Sequence, residues 1–206
     1  MLVWLVWIGG ALALGLAWAI GAQDVSNTFG TSVGSEAVSV PVACVLAAIC
    51  EFGGSILGGN VASRLAGGIL DVPWYVAEGK DGARLYALVM VCAMFGALGW
   101  LIIATRLSLP VSTSHSLVGG LVGLGMVTSG SVNWWSVLLL ASSWITSPLL
   151  GGILSYTTFS LLQYSLLTTP DPIASANTYL PSISSYTIGI LCFMLLRLGP
   201  TSSLLS

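Results

Sequence analysis

The feature that most constrains the fold is a tract from Leu107 to Pro170 that contains no Asp, Glu, Lys or Arg. A membrane-spanning helix needs about 20 mostly apolar residues, so this tract has room for two spans with a turn between them. The turn is expected at residues 128–133. It is followed by Trp134 and Trp135, an aromatic pair suited to the headgroup region of a bilayer.

The rest of the chain has the same apolar character. Hydrophobic residues make up 56% of the 206 residues, charged residues make up 6%, and the mean hydropathy is +0.98. Five basic and seven acidic side chains cannot cover the surface of a soluble protein of this size. A soluble enzyme is therefore excluded, and so is a nucleic-acid-binding protein, which needs basic stripes. The sequence predicts an all-α, multi-pass integral membrane protein.

Other apolar runs predict further spans, which lie at residues 2–20, 41–59 and 85–105. Residues 61–84 carry charges of both signs together with turn residues, so they are predicted to form a surface loop. Residues 168–185 are rich in Pro, Ser and Thr and are also predicted to form a loop. The whole chain, 1–206, is expected to be a single membrane domain with about five to six transmembrane segments.

Two polar stretches interrupt the apolar pattern, at residues 21–35 (GAQDVSNTFGTSVGS) and 109–119 (LPVSTSHSLVG). Each combines Gly or Pro with clustered hydroxyl or amide side chains. Irregular backbone at membrane depth is tolerated only where protein or a water-filled cavity surrounds it. Paired interrupted segments also indicate a transporter binding site. Both stretches are therefore predicted to be broken or re-entrant helices that form a ligand site.

The residue types in these stretches favour an anion held beside a cation. Broken helices expose N-termini that attract anions, and Ser and Thr hydroxyls add hydrogen-bond donors without charge. Asp24 lies in the first stretch and Glu51 inside the second span, where a carboxylate needs a partner. Carboxylate and hydroxyl oxygens suit Na⁺ or a proton, so the pattern indicates cation-coupled uptake of an anion.

Each of these residues also has a purely structural interpretation. Asp24 would cap a helix that begins at Val25. Glu51 would face water at the end of a shorter helix, and His115 would be a hydrogen-bonded packing residue. The four cysteines lie in apolar tracts without metal-ligand spacing, so no metal other than Na⁺ is expected.

The two polar stretches resemble the signature motifs of the inorganic phosphate transporter family, the sodium- or proton-coupled phosphate permeases. Residues 21–35 are similar to the family's GANDVAN-F-GTSVGS, and residues 109–120 (LPVSTSHSLVGG) are similar to its LPVSTTHSIVG. Residues 143–150 (SWITSPLL) resemble a third segment, SW-x-x-SPLL. The resemblance covers residues 10–165 and implies alternating-access symport of inorganic phosphate with Na⁺ or H⁺, without a cofactor.

Matching positions imply a phosphate-binding set that comprises Asp24, Asn27, Glu51, Ser112, Thr113 and His115. They also imply a cation site at Asp24, Asn27 and Gln23, although Gln23 stands where the family usually has Asn. The implied partners are phosphate, the coupling ion and the lipid bilayer, with no nucleic acid. The implied location is the plasma membrane.

The family is built from two inverted repeats, and each repeat carries one copy of both motifs. This chain carries one copy of each, which implies the N-terminal half of an inverted-repeat transporter and predicts that the chain is a fragment. It would then pair with a second repeat or form a homodimer.

Two alternatives stay open. The first is a half-subunit that transports nothing without a second repeat. The second, from a different class, is an intramembrane serine hydrolase that uses Ser112 or Ser116 with His115 as its base.

Overall fold

The computed structural model describes residues 3–57, 68–128 and 132–198, and these residues are almost entirely helical. The helices are α1 (Val3–Gly34), α2 (Val40–Leu57), α3 (Val72–Ala77), α4 (Gly79–Arg106), α5 (Thr113–Thr128), α6 (Trp134–Leu162) and α7 (Pro172–Leu198). A π-helical turn, Gln163–Leu167, extends α6. The prediction of an all-α fold is confirmed.

Three helices in the described part of the chain are long and apolar enough to cross a membrane: Val3–Gly34, Gly79–Arg106 and Trp134–Leu167. A shorter apolar helix covers Val40–Ile56. Large apolar side chains point outward from these helices, and Trp7 and Leu14 are 77% and 76% exposed. Such surfaces suit contact with lipid, so the chain is a membrane protein, as predicted.

The described residues fall into two compact units, one up to Trp134 and the other from Trp135 onward, which are considered separately. In the first unit, α4 lies in the centre and packs against α1, α3 and α5. Its contact face carries the small residues Ala93, Ala97 and Ala104, which are at most 2% exposed. Small side chains allow helix backbones to approach closely in a membrane. The first unit is therefore organised around α4, with α2 held against α1.

One end of the first unit is closed by α3 and the segments beside it. Leu70 and Val132 form an isolated antiparallel bridge, and the Asn133 N–H donates to the carbonyl of Ile69 at 2.8 Å. The hydroxyls of Tyr75 and Thr128 are hydrogen-bonded at 3.0 Å. These contacts tie α3 and the residues before it to the end of α5 and the residues before α6.

The second unit consists of α6, its π-helical turn and α7. Pro148 lies inside α6, none of whose residues is buried within the chain. The hydroxyls of Thr169 and Ser175 are hydrogen-bonded at 3.0 Å, which connects the turn after α6 to the first part of α7.

Both predicted loops contain helix. Within 61–84, residues 61–67 lie outside the described residues, but Asp71 caps α3 by accepting from the Trp74 N–H at 3.4 Å. Within 168–185, Asp171 accepts from the Ala174 N–H at 3.0 Å, and α7 then continues through Pro181. In both segments an Asp followed closely by Pro starts a helix. The hydroxyls of α7 bond back to its own carbonyls, as Thr178 does to Ala174 at 3.0 Å.

The first polar stretch does not break its helix. The helix α1 continues to Gly34, and the chain turns only at residues 35–39, where Glu36 has a positive φ of 61°. No proline interrupts residues 21–35, and the Ser26 hydroxyl donates to the Gln23 carbonyl at 2.8 Å. The second stretch does break, since residues 107–112 separate α4 from α5 and Ser108 has a φ of 55°.

Candidate functional site

The polar side chains of α1 lie on two faces of the helix. Gln23 and Asn27 are four residues apart and share one face, which meets the connection between α4 and α5. Asp24 and Thr28 are also four residues apart and share the next face, which meets α2. The first motif therefore contributes to two sites.

On the first face, the Gln23 carboxamide joins α1 to both ends of the α4–α5 connection. Its Nε2 donates to Thr105 Oγ1 at 3.0 Å, and its Oε1 accepts from the Val111 N–H over a longer distance, 3.5 Å. Asn27 Nδ2 donates to the Val111 carbonyl at 3.3 Å. Both polar groups of the Val111 peptide are therefore held by α1.

A pocket of about 440 Å³ opens beside these contacts. Its lining consists of Ala22, Gln23, Ser26, Asn27, Thr105, Ser108, Leu109 and Pro110. The lining carries amides and hydroxyls but no charged side chain. Such groups can bind an anion by donation alone, without a fixed positive charge that would oppose its release.

The helix α5 begins two residues after Val111, at Thr113. Ser112 precedes the helix, and its Oγ accepts from the His115 N–H at 3.3 Å, which is the geometry of an N-cap. The amides of the first helical turn have no acceptor within the helix, and the helix dipole makes this end positive. Ser112 therefore orients a helix terminus that favours an anion.

The other predicted residues of the second motif do not line this pocket. Thr113 is half-buried in a separate pocket of about 170 Å³. The remaining lining of that pocket is Leu16, Ile20, Ala97, Leu101, Ser114 and Leu117. His115 is exposed on α5. The structure thus brings the peptide before Ser112 to Gln23 and Asn27, whereas Thr113 lines a different pocket.

On the second face, Asp24 and Glu51 line one pocket of about 310 Å³ between α1 and α2. The rest of its lining is Val25, Thr28, Phe29, Ala47, Cys50 and Gly54. No Lys or Arg is among these residues. Two carboxyl groups and a hydroxyl, without a basic partner, form the donor set that a small hard cation or a proton would neutralise.

Three members of the site were not anticipated. Thr105 and the Val111 backbone bind Gln23, and Thr28 lines the carboxylate pocket. Two signals in the sequence point to them. Thr105 is a polar residue at the end of an apolar span, and Thr28 follows Asp24 by one helical turn. The Val111 backbone has no sequence signal, because its role comes from where the connection lies.

Residues 20–203 match the model of the Phosphate transporter family. The sodium-dependent phosphate transporter 1 of Mus musculus is 38% identical over 200 residues, which is 96% of this chain and 29% of the mouse protein. Sodium-dependent phosphate transporter 1-A of Danio rerio is 37% identical over 200 residues, covering 96% of this chain and 30% of its own length.

A solved structure described as the sodium-dependent phosphate transporter is similar to this fold, with a TM-score of 0.84 at 34% sequence identity. The match covers 94% of this chain and 48% of that chain. The chain therefore spans less than half the length of each of these relatives.

Proposed function

Because the chain belongs to the phosphate transporter family, we propose that it forms one half of a transporter that carries inorganic phosphate across a membrane together with a cation. The observation that carries this proposal is the division of α1 into two faces. One face meets the N-terminus of α5, which suits an anion, and the other shares a carboxylate pocket with α2, which suits a cation.

The phosphate subsite consists of the start of α5 and the polar face of α1 beside it. Asn27 and Ser112 lie on either side of the Val111 peptide, and first-turn amides of α5 supply further donors. Thr113 and His115 complete the proposed set when the helices move during alternating access, since Thr113 lines a different pocket from Asn27 and His115 is exposed on α5.

The cation subsite is centred on Asp24 and Glu51. Their carboxylates provide oxygen ligands and the charge that a cation must balance, and Asn27 and Gln23 lie on the adjoining face of the same helical turn. The names of the relatives favour Na⁺ over H⁺ as the coupling ion.

Coupling follows from the closeness of the two subsites on one helix. A bound cation lowers the electrostatic cost of placing phosphate in a low-dielectric membrane site, and phosphate does the same for the cation. The two affinities therefore rise together by the same factor.

The complete transporter is proposed to contain a second repeat, supplied by a longer polypeptide or by another copy of this chain, in the plasma membrane. The support is the coverage, since this chain matches at most 48% of the compared relatives. The same partial coverage also supports the alternative that this chain is a half-subunit with no transport activity alone.

The serine hydrolase alternative has no support. The family is one of transporters, and the Ser112 Oγ accepts from the backbone N–H of His115. The Ser116 hydroxyl donates to the Ser112 carbonyl at 2.8 Å. Both hydroxyls therefore serve the first turn of α5.

Uptake of labelled phosphate tests the proposal. The chain is expressed in cells that lack their own phosphate transporters, surface delivery is confirmed, and Na⁺ is replaced by choline in parallel. Sodium-dependent uptake is expected if copies of the chain assemble a complete site. If the inserted chain binds phosphate but transports none, it is a half-subunit that needs a second repeat. Uptake that is equal in Na⁺ and in choline would contradict sodium coupling.

A further inference from the structure

We propose that Gln23 is a positioning residue, which holds the N-terminus of α5 in its phosphate-binding orientation through the Val111 peptide. This inference rests on the proposed function. It differs from the role that the resemblance implies for Gln23, which is direct binding of the cation.

The burial of Gln23 is the first observation. Among the described residues, Gln23 is the one buried side chain that carries an amide or a charge, and it is 4% exposed. A buried amide that lacks partners is strongly unfavourable, so its hydrogen bonds determine where the surrounding groups can lie. Gln23 therefore constrains its neighbours more than the exposed Asn27 does.

The direction of each hydrogen bond is the second observation. The Thr105 hydroxyl donates to the Leu101 carbonyl at 2.8 Å, so its oxygen is left to accept from Gln23 Nε2 at 3.0 Å. This fixes the orientation of the carboxamide and directs Oε1 toward the Val111 N–H. Both ends of the amide are thereby occupied by protein groups.

The third observation is the location of Val111. Its carbonyl is held by Asn27, its N–H faces Gln23, and the next residue is Ser112, the cap of α5. A shift of this peptide moves the first turn of α5 with it. The Gln23 amide therefore acts on phosphate through the backbone, from a different face of α1 than the one that lines the pocket of Asp24 and Glu51.

The side-chain length of Gln23 is part of the proposed role. A Gln reaches Thr105 at one end of the connection and Val111 at the other. Asn is one methylene shorter, Glu lacks the donor, and Met lacks both hydrogen-bonding groups. We expect none of the three to replace Gln23 fully, with Met the most damaging.

The test compares Gln23→Met with Gln163→Met in the full chain, purified in lipid nanodiscs. Gln163 is exposed in the second unit, which makes it a control for the same chemical change. Gln23→Met is expected to weaken phosphate binding up to about tenfold at saturating Na⁺, as the loss of one to two hydrogen bonds predicts. The Na⁺ concentration for half-saturation, measured at saturating phosphate, is expected to stay within about twofold. A shift in Na⁺ affinity as large as the shift for phosphate would show instead that Gln23 binds the cation.

Amide hydrogen exchange provides a measurement that does not depend on phosphate. Gln23→Met is expected to accelerate exchange in a peptide covering residues 107–113, and Gln163→Met to leave it unchanged. Unchanged exchange in Gln23→Met would overturn the positioning role. If the unaltered chain binds no phosphate, the proposed function fails, while the exchange result still decides whether Gln23 holds α5.

A double-mutant cycle with Thr105→Val identifies the route of the effect. If Thr105 acts only by orienting the Gln23 carboxamide toward Val111, the double variant is expected to weaken phosphate binding no more than Gln23→Met alone. Additive losses would mean that the two side chains act separately and would contradict the proposal.

Discussion

Asp24 of α1 and Glu51 of α2 line the same pocket of about 310 Å³, so two acidic side chains share one cavity between the first two helices. No Lys or Arg is part of that lining. Two carboxylates that line one pocket repel each other unless a proton or a cation neutralises one of the charges. The need to neutralise this charge therefore links Asp24 of the first motif to cation binding.

Replacing Asp24 by Asn removes a charge from this pocket while keeping nearly the same shape. We expect uptake of labelled phosphate to be abolished and membrane insertion to survive, because the amide cannot balance the charge of a bound cation. Glu78→Gln is the control, since Glu78 is exposed at the start of α4. Uptake by Asp24→Asn at the unaltered level would refute the assignment of Asp24.

Replacing Glu51 by Gln tests whether the second carboxylate belongs to the same cation site. We expect the response of phosphate binding to Na⁺ to be lost, and Glu51→Asp to retain part of it because the charge remains. Phosphate binding measured in nanodiscs at increasing Na⁺ concentrations gives the sodium response of both variants. A Glu51→Gln variant with a normal sodium response would place the cation elsewhere.

Ser112→Ala removes the side chain that caps α5. The loss of an N-cap costs about 1 kcal/mol, and the first turn of α5 should fray. We expect phosphate affinity to fall about fivefold, as that energy predicts, and Ser112→Thr to restore most of it. Ser142→Ala serves as the control, because the Ser142 hydroxyl donates only to the Leu139 carbonyl of its own helix. Equal affinities in Ser112→Ala and Ser142→Ala would contradict a role for the cap.

Gly82 tests the packing that closes one end of the first unit. A Cβ at Gly82 would overlap the carbonyl oxygen of Tyr75, which is backbone and cannot move aside, whereas a Cβ at Gly96 meets open space. We expect Gly82→Ala to lower the unfolding free energy by about 1–3 kcal/mol. Gly96→Ala should leave it unchanged or raise it slightly. Thermal unfolding in nanodiscs measures the difference, and equal midpoints for the two variants would refute this account of α3 packing.

Much of the helical framework was predictable because span length and apolar composition are local properties. The runs at 41–59 and 85–105 fall almost entirely on α2 and α4, although residues 58–59 lie outside the described part. The break before α5 was also predictable, since Pro110 and the Ser112 cap are helix-start signals. The helices at 72–77 and 172–185 are not predicted, because their Pro and polar residues are typical of loops, although an Asp caps the start of each helix.

The candidate site was only partly predictable. The first motif contains Gln23, Asp24 and Asn27. Helical spacing alone places Asp24 on a different face of the helix from Gln23 and Asn27. What lies opposite each face depends on packing, so the pairing of Asp24 with Glu51 and of Gln23 with Thr105 required the structure. The sequence does not predict that α1 continues through Gly34, because clustered hydroxyl residues are typical of a helix break. In the structure such a hydroxyl, that of Ser26, instead bonds to a carbonyl of its own helix.

We infer that this chain itself holds a phosphate site whose affinity depends on a cation at Asp24. The most direct measurement is equilibrium binding of labelled phosphate to the chain in nanodiscs, with Na⁺ or choline, for the unaltered protein and Asp24→Asn. Saturable binding is expected, and Na⁺ should tighten it by about fivefold to 150-fold, the usual range for coupled sites. Phosphate binding to Asp24→Asn should not respond to Na⁺. The inference would be contradicted if the unaltered chain bound no phosphate, or if phosphate binding responded equally to Na⁺ in both proteins.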